Sequence, residues 1–338
     1  MHHKYSDPDL DGVQSLLGSS PAFVKAKQEL LAAAPFDISV LLEGETGSGK
    51  EMFARLLHQT SPRSGRPFVA INCAAIPPEL AESELFGHRR GSFTSAHEER
   101  AGLISEAESG TLFLDEVSAM DLRLQAKVLR FVQEREYRRV GGDRILRSDV
   151  RIISACNDHL ETEARGGRFR WDLFYRLAVF PVRVPPLRER SEDILILLQH
   201  FLQTYAARFG LSAPRLTRQS VEALLSYDWP GNVRELENVA QWLVVRSAGA
   251  GIERRDLPSK LSRSESKRSK PEAEERVPES FQRSKANLVR NFEHSYLRQL
   301  MEENGGNVSR AARIAGKNRR ALTALLKKHQ IDPRDFRS

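Results

Sequence analysis

The octapeptide "GETGSGKE" constrains the fold of this 338-residue chain more than any other stretch. It follows the β-rich run "DISVLLEG" and opens a helical stretch. Its glycines let the backbone curl so that N–H groups point at phosphate oxygens, and the helix N-terminus adds a favourable dipole. The segment therefore predicts a nucleotide-binding strand, loop and helix, whose binding residues are Gly44, Glu45, Thr46, Gly47, Ser48, Gly49, Lys50 and Glu51.

Within this loop, Lys50 is placed to reach the β and γ phosphates of ATP. Glu51 departs from the general signature, because a Ser or Thr that ligates Mg²⁺ usually stands at this position. Taken alone, a glycine-rich loop with a lysine could be a chance match.

A second motif, "GTLFLDEV", reduces that doubt because an apolar strand ends in two adjacent carboxylates. Asp115 is placed to hold Mg²⁺ through water, and Glu116 to polarise the water that attacks the phosphate. The plainer alternative is a strand that ends in two solvated acids. The two motifs in this order predict an ATPase with ATP and Mg²⁺ as its ligands.

The pattern around these motifs predicts an α/β domain followed by helices. Short apolar runs alternate with helical stretches up to about Val184, and they read as strands of a parallel sheet. These runs are "DISVLLEG", "RPFVAIN", "GTLFLDE", "DVRIISA" and "LAVFPVRV". "YRRVGGDRILRS" predicts a small hairpin. After Pro185-Pro186 the strands stop, and three helical stretches predict a separate helical subdomain.

Charge is distributed unevenly along the chain. From Pro258 to the end, 19 Lys and Arg face 10 Asp and Glu, a net charge of +9. The whole chain carries +7, so the preceding residues carry −2. A near-neutral body with a basic end is typical of a protein that meets a polyanion such as DNA, although a solubilising tail has the same charge.

The basic end contains "NGGNVSRAARIAGKNRRALTALLKKHQI", which has the spacing of a helix-turn-helix. Asn307 is predicted to cap the first helix, which carries Val308, Ala311, Ala312 and Ile314, and Gly316 permits the turn. The second helix would direct Leu322, Leu325 and Leu326 inward. Its opposite face is predicted to contact DNA through Asn318, Arg319, Arg320, Thr323, Lys327 and Lys328. A small helical oligomerisation module is the alternative.

From about Leu17 to Ala248 the sequence resembles the ATPase domain of bacterial enhancer-binding proteins, the AAA+ activators of sigma-54 RNA polymerase. The resemblance rests on "GETGSGKE", "INCAAI", "ESELFGHRRGSFTSA", "GTLFLDE", "FRWDLFYRL" and "WPGNVRELEN", in this order. It implies an AAA+ P-loop ATPase core with a helical lid. The end of the chain resembles the Fis-type helix-turn-helix domain of the same activators, a small all-α domain.

The resemblance also implies roles for individual polar residues. Asn72 would hold Glu116 away from water until the γ-phosphate is sensed, although it could simply cap its strand. Asn157 would be the first sensor of the nucleotide, and Arg234 would contact the nucleotide from the lid. Arg170 and Arg176 would act as arginine fingers on a neighbouring subunit's nucleotide, which implies a homo-oligomer that assembles from dimers into a hexameric ring.

The loop "GSFTSA" corresponds to the loop by which these ATPases engage sigma-54, with the family consensus GAFTGA. Phe93 and Thr94, the predicted sigma-factor contacts, are retained. Ser92 replaces Ala, and Ser95 replaces a Gly that is free to adopt positive φ. Retention of Phe93 and Thr94 favours sigma-54 contact. The change at Ser95 leaves open a DNA-binding repressor or activator independent of sigma-54, whose nucleotide site controls oligomerisation.

These patterns predict five segments. They are a short N-terminal segment (1–16), an α/β ATPase core (17–185), a helical lid (186–250), a flexible linker (251–285) and a Fis-type helix-turn-helix domain (286–338). The N-terminal segment is too short for a receiver domain, so we expect control by a separate protein acting in trans, by the abundance of the protein, or by a domain outside this sequence. Two distant cysteines and the lack of any long apolar run predict a cytoplasmic protein that does not enter membranes.

Overall fold

The computed structural model describes residues 16–92, 98–157, 160–247, 251–262, 297, 300–302, 304–316, 318–329 and 331–336. The chain divides into two compact units, Met1–Lys267 and Arg268–Ser338.

A five-stranded parallel sheet forms the centre of the first unit. Its strands are β1 (Val40–Glu43), β2 (Phe68–Asn72), β5 (Thr111–Asp115), β8 (Arg151–Cys156) and β9 (Phe180–Arg183), in the spatial order β2-β5-β8-β1-β9. The three inner strands are almost entirely buried, as expected for a parallel sheet covered on both faces. Each strand corresponds to one of the five apolar runs, so the predicted α/β fold is confirmed.

Helices cover both faces of this sheet. They are α1 (Pro21–Ala32), α2 (Lys50–Gln59), α3 (Pro78–Phe86), α4 (Leu103–Glu106), α5 (Leu122–Glu134), α6 (Leu160–Arg165) and α7 (Trp171–Leu177). Leu41 packs into the hydrophobic cluster beneath α3, α5 and α7, whereas its neighbours Val40 and Leu42 pack into the cluster beneath α1 and α2. Successive strand residues point to opposite faces, so one strand supplies both layers.

Two small antiparallel pairs stand beside the main sheet. The strand β3 (Gly87–His88) pairs with β4 (Arg100–Ala101), and β6 (Glu136–Tyr137) pairs with β7 (Leu146–Arg147). The second pair is the hairpin that "YRRVGGDRILRS" predicts. Both pairs flank the loop that contains "GSFTSA".

The lid consists of α8 (Ser191–Arg208), α9 (Arg218–Leu225) and α10 (Asn232–Ser247), packed around the fully buried Trp229, with the short α11 (Ser259–Ser262) after them. Ile252, Leu257 and Leu261 are also buried in this lid core. The packed lid therefore extends past residue 250, where the sequence pattern places its end. These three apolar side chains, spaced along a charged segment, anchor the segment in the lid core. The overall composition of the segment does not reveal them.

In the second unit, helices Val308–Ile314 and Arg319–Lys328 pack through Ala311, Ala312, Leu322 and Leu326. Asn307 and Asn318 cap these helices with their side-chain oxygens, and Gly316 adopts φ +60° between them. Ile314 is 60% exposed, so it lies outside the face that the two alanines form. The predicted helix-turn-helix is present in the described residues of this unit.

Candidate nucleotide site

The phosphate-binding loop lies between β1 and α2, and glycines shape its backbone. Gly47 has φ +76°, and Gly49, the N-cap residue of α2, has φ +104°. These left-handed conformations favour glycine because it lacks a Cβ atom. The loop therefore ends at a helix N-terminus, where N–H groups of the first turn point outward and favour an anion.

Lys50 is the central cation of the site, and its side chain folds back over the loop. Its Nζ donates hydrogen bonds to the carbonyl oxygens of Gly44 (2.7 Å) and Glu45 (3.2 Å) and to Oδ1 of Asn157 (2.7 Å). Lys50 is only 7% exposed, and this burial lowers its pKa, which the nearby Asp115 partly counteracts. A desolvated ammonium group beside a helix N-terminus is suited to a phosphate.

The two acidic residues of "GTLFLDEV" lie at the carboxyl end of β5. Burial raises the pKa of Asp115, while the charge of Lys50 opposes that rise. Glu116 adopts φ +53° immediately after the strand. Non-glycine residues rarely adopt this conformation, which concentrates at functional sites.

Asn157 connects the lysine to the second acid. It follows β8, the neighbour of β5 in the sheet, and its Nδ2 donates to Oε1 of Glu116 at 3.1 Å. Because its Oδ1 accepts from Lys50, a continuous chain of contacts runs from Lys50 through Asn157 to Glu116. The structure thus brings together Lys50 and Glu116, which the two motifs assign to the ATPase, and Asn157, which the resemblance assigns to nucleotide sensing.

Asn72 has a different set of contacts. It lies beside Asp115 in the strand register, as expected for the neighbouring strand end. Its Oδ1 accepts from the backbone N–H groups of Ala74 (2.9 Å) and Ala75 (3.2 Å), so the side chain caps the turn after β2. In this structure the described partner of Glu116 is Asn157, and the control of Glu116 by Asn72 stays a prediction.

The lid contacts the loop directly at Gly47. The backbone N–H groups of Val233 (2.9 Å) and Arg234 (3.4 Å) donate to the Gly47 carbonyl oxygen. A Cβ atom at Gly47 would lie 2.4 Å from the carbonyl oxygen of Gly231. The N-terminus of α10 therefore lies against the loop, and this placement brings the exposed Arg234 to the nucleotide site.

Further lid contacts involve residues that the sequence did not single out. Arg190 is 3% exposed and donates to the Ser48 carbonyl oxygen at 2.7 Å, and burial lowers the pKa of its guanidinium to about 10. Asn232 is fully buried and donates to the Thr46 carbonyl oxygen at 3.1 Å. Asn tolerates a positive φ, so an Asn after Pro-Gly is a local sequence signal for a turn. The hydrogen-bond partner of Asn232 in the loop has no such signal in the local sequence.

Glu51, at the unusual position of the loop, pairs with Arg55 one turn along α2, with distances of 3.0 and 2.7 Å. Both side chains are partly solvent-exposed. Glu51 is thus engaged on the helix surface.

Of the two predicted arginine fingers, Arg170 is the N-cap residue of α7 and Arg176 lies in its last turn. Arg170 forms a bidentate pair with Asp172, at 3.0 and 2.7 Å, and this pair raises the pKa of the guanidinium. Arg176 is exposed near the end of the helix. Trp171 stacks on Tyr175 with ring centroids 5.7 Å apart, and Tyr175 is 67% exposed. Aromatic and arginine side chains exposed together are typical of protein interfaces.

The base of the "GSFTSA" loop is held by backbone contacts. Arg89 N–H donates to the Val140 carbonyl oxygen (3.0 Å), and Val140 N–H donates to that of Gly87 (2.8 Å). Ser92 packs against Gly141, and its buried Oγ has no hydrogen-bond partner among the described atoms. Phe93 and Thr94 lie outside the described residues.

On the second helix of the C-terminal unit, the predicted DNA-contacting residues divide into two groups. Asn318 and Thr323 use their side chains locally, because Asn318 caps the helix and Thr323 Oγ1 donates to the Arg319 carbonyl oxygen at 2.8 Å. The remaining residues, Arg319, Arg320, Lys327 and Lys328, expose their side chains to solvent.

The parallel sheet, phosphate-binding loop, paired acids and helical lid define a P-loop ATPase of the AAA+ class that also carries a helix-turn-helix. Three protein families match consecutive parts of the chain. They are the sigma-54 interaction domain (16–183), the AAA+ ATPase lid domain (188–274) and the bacterial regulatory protein, Fis family (288–329).

Several curated proteins are similar over most of the chain. XylR, a transcriptional regulatory protein of Pseudomonas putida, is 44% identical over 96% of this chain and 58% of its own length. NorR, an anaerobic nitric oxide reductase transcription regulator of Salmonella paratyphi C, is 45% identical over 88% of this chain and 59% of its own. ZraR, a transcriptional regulatory protein of Escherichia coli, is 42% identical over 92% and 68%.

Among solved structures, NtrX from Brucella abortus in complex with ATP is similar, with a TM-score of 0.71 and 34% identity over 94% of this chain and 69% of NtrX. The chain belongs to the bacterial enhancer-binding proteins, the sigma-54-dependent AAA+ transcription regulators. It spans just under three-fifths of the length of XylR and NorR. Among the described residues, no helix combines the length and apolarity that a membrane span needs.

Proposed function

We propose that this chain hydrolyses ATP and uses the energy to remodel promoter complexes of sigma-54 RNA polymerase, thereby activating transcription. The observation that carries the proposal is the chain of contacts from Lys50 through Asn157 to Glu116 at the carboxyl edge of the sheet. The family supports it, and so does NtrX, which was solved with ATP and with ADP.

In this mechanism, the loop amides and Lys50 bind the β and γ phosphates of ATP. Lys50 leaves the carbonyl oxygens that it contacts here, and Asn157 reports the presence of the γ-phosphate to Glu116. Glu116 then orients and polarises the attacking water. Arg234 contacts the nucleotide from the lid, so that hydrolysis changes the orientation of the lid.

Mg²⁺ fits this site because Asp115 offers a half-buried carboxylate next to the phosphate-binding lysine, and carboxylates are preferred ligands of this ion. Asp115 would hold the ion through water. When bound, Mg²⁺ supplies positive charge that neutralises the phosphates.

The proposed working form is a homo-oligomer that assembles from dimers into a hexameric ring. Arg170 and Arg176 of one subunit then stabilise the transferred phosphoryl group in the site of the next. Arg170 exchanges Asp172 for the phosphate when the ring closes. The exposed aromatic pair on α7 supports a subunit contact on this face.

The helix-turn-helix binds DNA upstream of the promoter. Arg319 and Arg320 lie at the N-terminus of the second helix, where recognition helices contact base edges, whereas Lys327 and Lys328 contact phosphates. Asn318 and Thr323 reach DNA only by giving up their local hydrogen bonds. The protein acts in the cytoplasm, and a separate protein in trans is its proposed regulator.

The "GSFTSA" loop is the proposed contact with sigma-54, through Phe93 and Thr94. A sigma-54-independent regulator is the competing function, because Ser92 and Ser95 depart from the consensus. The match to the sigma-54 interaction domain over residues 16–183 favours sigma-54.

Open-complex formation on a sigma-54-dependent promoter tests this function. Purified polymerase, sigma-54 from the same source, ATP and the protein are combined, and promoter melting is followed. We expect melting that requires ATP and is lost in Thr94→Ala. Normal ATP hydrolysis without melting would instead favour the sigma-54-independent regulator.

A further inference from the structure

Three side chains connect the phosphate-binding loop to the segment that joins the core and the lid. Glu45 lies in the loop, Arg188 lies in the short 3₁₀ turn Leu187–Glu189 between β9 and α8, and Asn232 begins α10. Arg188 Nη1 and Nη2 donate to the two carboxylate oxygens of Glu45, at 2.7 and 2.5 Å. The fork of Arg thus faces a carboxylate in bidentate geometry.

Asn232 completes this group from the lid. Its Nδ2 donates to Glu45 Oε2 (3.2 Å) and to the Thr46 carbonyl oxygen (3.1 Å), while its Oδ1 accepts from the Leu187 N–H (2.7 Å). It is fully buried and adopts φ +52°, a conformation that Asn tolerates better than most residues. One amide therefore contacts the loop, the joining segment and the lid together.

Glu45 also links this group to the phosphate-binding lysine, Lys50. Its backbone carbonyl oxygen accepts from Lys50 Nζ at 3.2 Å, while its carboxylate contacts Arg188 and Asn232. The hydrogen bonds from Arg188 keep the pKa of Glu45 below its usual value, so the carboxylate is ionised at neutral pH. A movement of Lys50 toward a phosphate removes a contact from the same residue that holds the joining segment.

The contacts within this group of three side chains differ in how deeply they are buried. Arg188 and Glu45 keep 43% and 40% of their side chains exposed, and a half-exposed ion pair contributes modestly. Asn232 is buried, so its hydrogen bonds to the loop are protected from water. The group thus combines a partly exposed ion pair with a buried amide that contacts both the loop and the joining segment.

We propose that Glu45, Arg188 and Asn232 form a latch that holds the lid in the orientation in which Arg234 meets the nucleotide. The latch rests on the proposed function, since it acts on ATP bound at this loop. Glu45 is then a positioning residue, and its side chain serves the lid while its backbone serves the phosphate site. Only the molecules whose lid is latched bind ATP with full affinity. Losing the latch therefore raises the apparent Kd for ATP in inverse proportion to the fraction of molecules that remain latched.

The first test needs no nucleotide. In the nucleotide-free protein, hydrogen–deuterium exchange is measured at the Val233 and Arg234 amides, which donate to Gly47. We expect Glu45→Ala to accelerate exchange by about tenfold, and Glu45→Gln by less because it keeps the hydrogen bond from Asn232. Unchanged exchange in Glu45→Ala would overturn the latch.

The second test measures the Kd for ATP together with KM and kcat. We expect Glu45→Ala and Arg188→Met each to raise Kd and KM by about fivefold, with a smaller change in kcat. The double variant Glu45→Ala/Arg188→Met should bind ATP no more weakly than Glu45→Ala alone, because Glu45→Ala already removes the contact with Arg188. Independent, additive effects would contradict the latch.

The matched control is the pair Arg218 and Glu222 on α9, an exposed ion pair of the lid at 2.9 Å. Glu222→Ala and Arg218→Met should leave exchange and Kd unchanged. If the parent protein neither binds nor hydrolyses ATP, the proposed function itself fails. If the parent does both and the Glu45 variants match it, only the latch fails.

Discussion

The nucleotide edge of the sheet and the base of the "GSFTSA" loop are held by different kinds of contacts. At the nucleotide edge, side chains contact each other across long stretches of sequence, as Lys50, Asn157 and Glu116 do. At the loop base, β3 and the β6–β7 hairpin are joined by backbone hydrogen bonds. Backbone contacts form whatever the side chain is, so the loop base tolerates substitutions that the nucleotide edge does not.

The exposed charges sharpen this contrast. At the loop base, Arg100 pairs with Glu84 and Arg139 pairs with Glu99, on side chains that are 28–51% exposed to solvent. Ion pairs at such exposure contribute little to the free energy of unfolding. At the nucleotide edge, Lys50 is buried, and its contacts belong to the site that is proposed to bind and hydrolyse ATP. Five experiments test whether the two regions differ as much as their contacts imply.

The largest expected effect is on hydrolysis. Glu116→Gln keeps the size of the side chain and a hydrogen bond to Asn157 but loses the carboxylate that polarises water. We expect the rate of ATP hydrolysis to fall by about a thousandfold, with ATP binding retained. Glu99→Gln, at the loop base, is the control and should hydrolyse ATP at the parent rate. A Glu116→Gln protein as fast as the parent would contradict the assigned role.

The second effect tests whether water is excluded from the nucleotide edge. Cys73 directly follows β2, and its backbone N–H donates to the Asp115 carbonyl oxygen at 2.9 Å. Burial raises the pKa of its thiol to about 12. At pH 8 the native thiol should therefore react with iodoacetamide about a thousandfold more slowly than in the unfolded chain. Arg138→Cys supplies an exposed thiol at the loop base and should react at the rate of a free thiol. The alkylation rates are read by mass spectrometry. Equal rates at the two positions would show that water is not excluded from the nucleotide edge.

The same group predicts a pH dependence of stability. Because the folded pKa of Cys73 lies above the unfolded value, its contribution is complete below about pH 8.5 and is lost as pH rises toward 12. The free energy of unfolding should thus fall less steeply with pH in Cys73→Ala than in the parent over this window. Parallel curves would show that the thiol titrates normally.

The third effect compares two glycines with nearly equal φ. At Gly47 (φ +76°) a Cβ would meet the backbone oxygen of Gly231 at 2.4 Å, whereas at Gly141 (φ +71°) it would meet the side chain of Ser92 at 2.6 Å. Both alanine variants carry the left-handed strain, but a surface loop moves more easily than a helix N-terminus. We expect Gly47→Ala to cost about 3 kcal/mol and Gly141→Ala about 1.5 kcal/mol in urea unfolding. Equal costs would remove the contrast.

The smallest effect concerns two serine hydroxyls. Ser92 Oγ is buried without a partner, whereas Ser61 Oγ donates to the His58 carbonyl oxygen at 2.7 Å and accepts from Arg63 N–H at 3.2 Å. We expect Ser92→Ala to stabilise the protein by about 1 kcal/mol and Ser61→Ala to destabilise it by about the same amount. Changes of the same sign in urea unfolding would show that Ser92 finds a partner in solution.

Much of the fold was predictable because its elements have strong local signals. The five apolar runs became the five strands of the sheet, and Asp121, Asn307 and Asn318 cap the helices that follow them. Arg151 shows the limit of such signals. This charged residue is 1% exposed in the central strand β8, where it donates to the carbonyl oxygens of Ala33 and Ala34 at the end of α1.

The candidate site was predictable in its residues and less so in its contacts. Lys50, Asp115, Glu116 and Asn157 were all expected at the nucleotide site. The family resemblance implies that Asn72 controls Glu116, and this stays a prediction, because here the side chain of Asn72 caps its own turn. Glu45 was expected only as part of the loop, because a pair with Arg188, 143 positions away, leaves no trace in either segment.

By itself, the sequence determined the strands, the helix caps, the left-handed glycines and the residue types at the strand ends, since these depend on residues close together in the chain. Tertiary structure decided which partner each polar group takes. The order β2-β5-β8-β1-β9 brings Asn157 between Lys50 and Glu116, and the placement of the lid brings Asn232 and Arg188 to Glu45. Hydrogen bonds act over about 3 Å, so partners distant in sequence are set only when the sheet and the lid have packed.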